Sequence, residues 1–275
     1  MRLKKSVKFV LIIVVLVLIG FLCLKIYNKL FKLAEEVPKT NHADEFSIVD
    51  SNYIEKYYDR YTAYKSEHPE YSDDTIITYV NIGLDNEFYT NMEDTNMIDG
   101  YLILCNKYHK LEDNYVPDLV SLNGYGGGQM ERVAAENFKE MSDAAKQDGV
   151  SIYNVSGYRS FDTQTYLYNN YVSKDGIEKA DTYSARPGTS EHQTGLATDI
   201  NSVSSDFEYT SAYKWLINNS YKYGFILRYP KGKEHITGYM YEPWHYRYVG
   251  VEVATIIYEK DITYEEYYAT YILKG

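Results

Sequence analysis

The chain is poor in cysteine, with two in 275 residues, Cys23 and Cys105. Cys23 lies in an apolar N-terminal run. Cys105 ends the stretch 101–105, which reads as a buried strand. A disulfide between them would have to join those two regions, and no thiolate pair remains for a metal. Any zinc must therefore be held by histidine and carboxylate. Positive charge is also in short supply: 28 Lys and Arg stand against 39 Asp and Glu, a net charge of −11. Such a chain gains nothing from a phosphate backbone, which argues against a general nucleic-acid role. The helical zinc signature His-Glu-x-x-His is absent. Ser211-Ala212-Tyr213-Lys214 has the Ser-x-x-Lys form of serine-type penicillin-recognising enzymes, but no Lys-Thr-Gly follows and the segment fits a helix. The run Gly124-Tyr125-Gly126-Gly127-Gly128 lacks the Lys-Ser/Thr ending of a phosphate loop and reads as a flexible loop.

What is present begins at the N-terminus. Arg2, Lys4, Lys5 and Lys8 precede an uncharged run, 9–24, that Ile26 and Tyr27 extend if Lys25 snorkels. No small-x-small cleavage site follows, which favours an uncleaved anchor over a signal peptide. The basic flank places the N-terminus inside and the remainder outside, although Lys25, Lys29 and Lys32 weaken that asymmetry. The expected organisation is a cytoplasmic tail 1–8, a transmembrane anchor 9–27 and a stalk 28–50. An N-terminal helical and strand extension 51–100, a core domain 101–252 and a C-terminal segment 253–275 follow.

Periodicity within these parts predicts a helix over 53–70, a strand over 75–80 and an amphipathic helix over 129–147 ended by Gly149. A strand is expected over 151–155. Ser160 is a candidate N-cap for a helix reaching about Tyr171, and 211–223 forms another helix stopped by Gly224. Strands follow at 225–229 and 244–249. Helices and strands are interspersed with no internal repeat, and the hairpin-like spacing near Lys231-Gly232 indicates an α+β domain, an antiparallel sheet with flanking helices. Tyr is abundant, at 33 residues, which suits contact with a sugar or peptide polymer or reflects compositional bias.

Two segments concentrate the chemistry: Ser190-Glu191-His192-Gln193-Thr194-Gly195-Leu196-Ala197-Thr198-Asp199 and Glu242-Pro243-Trp244-His245. They supply two imidazoles, a carboxylate, and a second carboxylate three residues before a His. That is the inventory of a catalytic zinc site with three protein ligands, an open position and a general base. Gly195 permits a sharp turn through which His192 and Asp199 converge. Pro243 disfavours a helical Glu242, so Glu242 is expected on a turn just before the His245 strand. His42, His68 and His109 read as ordinary core or surface residues, and His235 is left without a role.

These residues resemble the VanY-type zinc D-alanyl-D-alanine carboxypeptidases, a family that includes LD-carboxypeptidases. The resemblance rests on Ser-x-His-x-x-Gly-x-Ala-x-Asp followed by Glu-x-x-His. It extends to Ser156-Gly157-Tyr158-Arg159-Ser160 with Gln164, to Tyr223-Gly224-Phe225-Ile226-Leu227-Arg228-Tyr229-Pro230, and to Trp244-His245-Tyr246-Arg247-Tyr248-Val249-Gly250. It covers about residues 75–252. It implies one Zn2+ on His192, Asp199 and His245, with Glu242 as the catalytic base acting on a zinc-activated water. It also implies a substrate pocket lined by Arg159, Gln164 and Ser190, with Arg159 suited to bidentate capture of a free carboxylate. The expected activity is removal of the terminal D-alanine from peptidoglycan stem peptides, by a D-Ala-D-Ala or an LD-carboxypeptidase. The alternatives are an endopeptidase of cross-links and a zinc-stabilised wall-binding module without turnover.

Overall fold

Four short strands carry the fold in the computed structural model, which describes residues 20, 22, 24–27 and 42–273. They are β5 (Asn154–Ser156), β6 (Ala197–Ile200), β7 (Phe225–Leu227) and β8 (His245–Tyr248). They lie in the order β5-β6-β8-β7, and every neighbouring pair is antiparallel. The flanking helices make the domain α+β, as expected. Two further pairings are smaller. β1 (Glu93–Asp94) pairs in parallel with β2 (His109–Lys110), and β3 (Leu119–Ser121) pairs antiparallel with β4 (Gln129–Glu131). These positions precede the sheet in sequence and lead into its covering helix.

Helix α3 (Arg132–Gln147) buries Ala134, Ala135, Phe138, Met141 and Ala145, a stripe at helical spacing. Phe138 meets Phe225 of β7 edge-on at 6.2 Å, which fixes the helix against the sheet. The helix starts three residues later than its periodicity predicts. Residues 129–131 are drawn into the β3–β4 ladder, and the Glu131 side chain then caps the helix by accepting from the N–H groups of Val133 and Ala134. The glycine-rich run is the loop of this hairpin, and it is not loose. Tyr125 O accepts from Asn154 N at 2.8 Å, and a Cβ on Gly126 would stand 2.1 Å from Asn154 O. Glycine is there because two backbones meet.

Two sequence-based strands are corrected. Residues 75–80 belong to helix α2 (Asp73–Asn81), which follows α1 (Tyr58–Glu67). The Ser72 side chain caps α2 by accepting from Thr75 N, and Asp73 and Asp74 sit in its first turn, where negative charge favours a helix. Ile76, Ile77 and Val80 then fall on one face and bury with Phe46, Tyr61 and Tyr64. Cap and spacing outweigh the strand preference of β-branched residues. The stretch 101–105 is a 3-10 turn, Met97–Leu102, running into buried irregular chain. Its carbonyls have side-chain partners instead of a ladder: Arg247 donates to Tyr101 O and Ile103 O, and Thr95 donates to Leu104 O.

Helix α4 (Phe161–Asp175) begins at Ser160, whose hydroxyl accepts from Thr163 N, and runs four residues beyond Tyr171. Helix α5 (Ser211–Asn219) continues as a 3-10 turn to Tyr223, where Gly224 turns with φ +78°. Helix α6 (Val251–Lys260) leads into a turn at Tyr264–Tyr267 opened by a Thr263–Glu266 capping box. Val253, Ile257, Tyr264 and Tyr268 bury this C-terminal segment against Leu104, Ile226 and Val249.

The chain divides into two units, Met1–Glu45 and Phe46–Gly275. In the first, residues 24–27 are helical and His42–Glu45 forms a 3-10 turn. Among the described residues no helix is long and apolar enough to cross a membrane. The tail 1–8, most of the anchor 9–27 including Cys23, and the stalk up to residue 41 lie outside the described residues.

Candidate metal centre

Sheet register brings together residues that are far apart in sequence. Asp199 on β6 stands opposite His245 on β8 and, on its other side, opposite Ser156 on β5. Its Oδ1 lies 3.1 Å from His245 Nδ1. His192 comes from the 3-10 turn Glu191–Thr194, which Gly195 ends at φ +69°. A Cβ on Gly195 would stand 2.8 Å from Glu131 N, so the turn needs glycine twice, for its dihedral and for its closeness to β4. His192 Nδ1 lies 2.7 Å from Gly157 O, a contact that makes Nδ1 the donor and leaves Nε2 as a lone pair. That Nε2 is 3.4 Å from Asp199 Oδ2.

The donor atoms of His192, Asp199 and His245 all lie within 4.8 Å of one another, and all three residues are buried. Two imidazoles and one carboxylate suit zinc, and three ligands leave a position open. They border a cleft of about 550 Å³ that also takes in Arg159, Ser190, Glu242 and Trp244. Glu242 sits in the turn before β8, where His245 N donates to Glu242 O at 3.1 Å.

The charges are strongly coupled. Burial opposes ionisation of Asp199, but the imidazoles of His192 and His245 outweigh it and hold the carboxyl well below the usual range. Burial pushes Glu242 up to about 8, helped by Asp199 and opposed by His245 and Arg159. His192 is lowered, first by burial and then by the Arg159 guanidinium.

The family model described as VanY, D-alanyl-D-alanine carboxypeptidase, matches residues 127–251. A D-alanyl-D-alanine carboxypeptidase of Enterococcus faecalis is 38% identical over 195 residues, 68% of this chain and 72% of that protein. This chain belongs to the VanY family of D-alanyl-D-alanine carboxypeptidases. Solved structures agree. The LdcB LD-carboxypeptidase superposes with a TM-score of 0.62 at 42% identity, covering 67% of this chain and 94% of that one. A variant of a VanY D,D-pentapeptidase from a VanB-type resistance cassette, in complex with Zn(II), does so at 0.54 and 40%, covering 61% and 98%. With its buried His-Asp-His set, this VanY-family chain is a zinc carboxypeptidase with one zinc site.

Arg159 lies between β5 and α4 and borders the cleft. Its Nη1 donates to Gln164 Oε1 at 2.8 Å and its Nη2 to Ser156 Oγ at 2.9 Å. Nη2 also lies 3.8 Å from Asp199. Ser190 lines the cleft. Gln164 does not line it: the side chain is buried behind Arg159, with its amide donating to Ala185 O at 2.6 Å. In this VanY-family chain Gln164 holds the arginine. Trp244 is a cleft wall and also packs on the core. His235 is directed to Tyr79, outside the cleft. His68 stacks on Tyr71, and His109 lies against Asn106.

The sequence assigns no role to three further groups. Tyr229 packs its ring 4.8 Å from that of His245. Lys107 reaches from the chain before β2 to the carbonyls of Asp181 and Gly238. Glu191, between two motif residues, is buried with Arg228 and Arg247. Arg228 and Arg247 stand in family-like stretches, but their common partner is 37 and 56 residues away and no spacing rule links them.

Proposed function

We propose that this chain removes the terminal D-alanine from peptidoglycan stem peptides, outside the cell and anchored to the membrane by residues 9–27. The observation that carries the substrate reading is Arg159, a cation at the cleft beside the ligand set. Two of its N–H groups hold Gln164 and Ser156, which fixes the guanidinium and leaves further donors for a substrate carboxylate. An exopeptidase needs such a group at a short, fixed distance from its chemistry.

The residues divide the work. Arg159 pairs with the free carboxylate and sets the scissile bond in the cleft. Zinc on His192, Asp199 and His245 supplies Lewis acidity toward the scissile carbonyl and the attacking water. Glu242 accepts the water proton and returns it to the leaving amine. Names among the relatives, D-alanyl-D-alanine carboxypeptidase and LD-carboxypeptidase, support both a pentapeptide and a tetrapeptide substrate.

The test is to incubate the purified full chain, loaded with zinc, with defined stem pentapeptide, tetrapeptide and cross-linked dimer, and to weigh the products. Loss of one D-alanine from a monomeric peptide supports the reading. Cleavage confined to the cross-link would replace it with an endopeptidase. Binding of every peptide without turnover would replace it with a wall-binding module.

A further inference from the structure

His245 faces a carboxylate on each side. Its Nδ1 is turned to Asp199 and the metal centre. Its Nε2 points the other way, 3.6 Å from Glu191 Oε2. His245 Nε2 and Glu191 Oε2 are both buried, and neither has a hydrogen-bond partner among the described residues. Buried polar atoms are nearly always satisfied, so two unsatisfied ones facing each other are an incipient pair. A small rotation of either side chain brings them into hydrogen-bond range.

Glu191 has no freedom to look elsewhere. Its Oε1 accepts from Arg228 Nε at 2.8 Å and from Arg247 Nη1 at 2.9 Å. Arg247 is tied in turn to the carbonyls of Tyr101, Ile103 and Tyr248. Arg228 is gripped by Glu265, which accepts from its Nη1 at 2.8 Å and its Nη2 at 2.5 Å. Asn106 closes the far side by donating to Glu265 at 3.3 Å. All four charged side chains are almost wholly removed from solvent. Two carboxylates and two guanidiniums balance, so the cluster carries no net charge into the interior. Hydrophobic packing would stabilise this volume as well or better. What the charged set adds is a fixed carboxylate oxygen beside one face of one histidine.

We propose that Glu191 is the positioning residue of His245. Its free Oε2 accepts from His245 Nε2–H, which leaves the Nδ1 lone pair directed to the metal. Glu265 acts at one remove, by holding Arg228 and thereby Glu191. The C-terminal segment is therefore part of the metal centre, although it contributes nothing to the cleft. Second carboxylates of this kind fix the tautomer and ring orientation of a metal-bound histidine and raise its basicity. The inference rests on the metal assignment alone, so failure of the D-alanine reading leaves it standing, and its own failure leaves that reading intact.

The first measurement uses the unaltered full chain with 15N-labelled histidine and zinc bound, observed by long-range proton–nitrogen NMR. His245 should carry its proton on Nε2 and none on Nδ1. A proton on Nδ1 would overturn the proposal. The second compares Glu191→Gln and Glu265→Gln with the unaltered chain for zinc affinity, by competition with a chelator. Glu191→Gln should weaken zinc by roughly 10–100-fold, the usual range for loss of an outer carboxylate, and Glu265→Gln should weaken it less. The visible spectrum of the cobalt-substituted protein should change in both, which loss of stability alone would not cause. Folded Glu191→Gln that holds zinc as tightly and gives an unchanged cobalt spectrum would refute the role. If the variants do not fold, the NMR result on the unaltered chain decides.

Discussion

Glu242 Oε2 lies 3.8 Å from His245 Nδ1, the ring nitrogen that also faces Asp199. The two residues are three apart, and the turn at Pro243 lets the first lean over the second. Glu242 therefore stands beside the ligand set and outside it. Glu242→Gln should keep one zinc per chain while kcat falls by at least about 10²-fold, the lower range for a general base. Metal analysis and turnover on the same sample check this. Near-normal turnover would remove Glu242 from its role as base.

Metal loss should follow ligand loss. Asp199 is shared between both histidines, and His245 brings its own β8 register. His245→Ala and Asp199→Asn should each abolish both bound zinc and activity. Chelation of the unaltered protein should do so reversibly. Elemental analysis of protein purified without added metal should give one zinc per chain. A zinc-free, active preparation would contradict the whole assignment.

How much of this was legible in the sequence depended on distance along the chain. His192, Gly195 and Asp199 share ten residues with Ser190, and the need for a turn at Gly195 follows from their spacing alone. Glu242 on a turn follows from Pro243. The antiparallel core was visible in the hairpin-like spacing near Lys231-Gly232, between what are β7 and β8, and Ser160 announced its helix. Helix α2 was not read because Ile76, Ile77, Thr78 and Val80 resemble a strand until the cap at Ser72 is counted. The partners of Arg228 and Arg247 were unreadable for another reason. A buried ion pair has no local signature, and the residues that make it safe come from 101–105, Glu191 and Glu265 at once. Gln164 was placed in the pocket when it stands behind Arg159, since a motif gives neighbours in sequence and not depth.

Lys107 offers a prediction in pH. Its ammonium lies among the rings of Phe88, Tyr89 and Tyr239 and donates to two carbonyls, one of them Gly238 in the segment that leads to Glu242. Burial pushes its pKa down to about 8 from 10.5, with Arg186 adding and Asp181 opposing. Between those values the unfolded chain binds more protons than the folded one, so stability rises with pH across the window. Denaturant unfolding of Lys107→Met should lack that rise. The stability of the unaltered protein relative to the variant should therefore increase from pH 7.5 to pH 10, and a constant difference would show that Lys107 is not depressed.

Arg159 carries the substrate prediction. Its guanidinium is held by Gln164 and Ser156 and is partly exposed at the cleft. A free C-terminal carboxylate can pair with it, and a C-terminal amide cannot. Amidating a stem peptide should therefore lower kcat/KM. Breaking a buried charge pair costs about 2–5 kcal/mol, and the remaining solvent access of Arg159 places the effect near the lower end, roughly thirtyfold. Arg159→Ala should weaken cleavage of the acid by a similar factor and leave the amide almost unchanged, so that the two substrates converge. Gln164→Ala should act in the same direction, by freeing the arginine. Measuring kcat/KM for acid and amide on all three proteins completes the cycle. Equal cleavage of acid and amide by the unaltered chain would reject carboxylate capture, and with it the exopeptidase, in favour of an enzyme that cuts within cross-links.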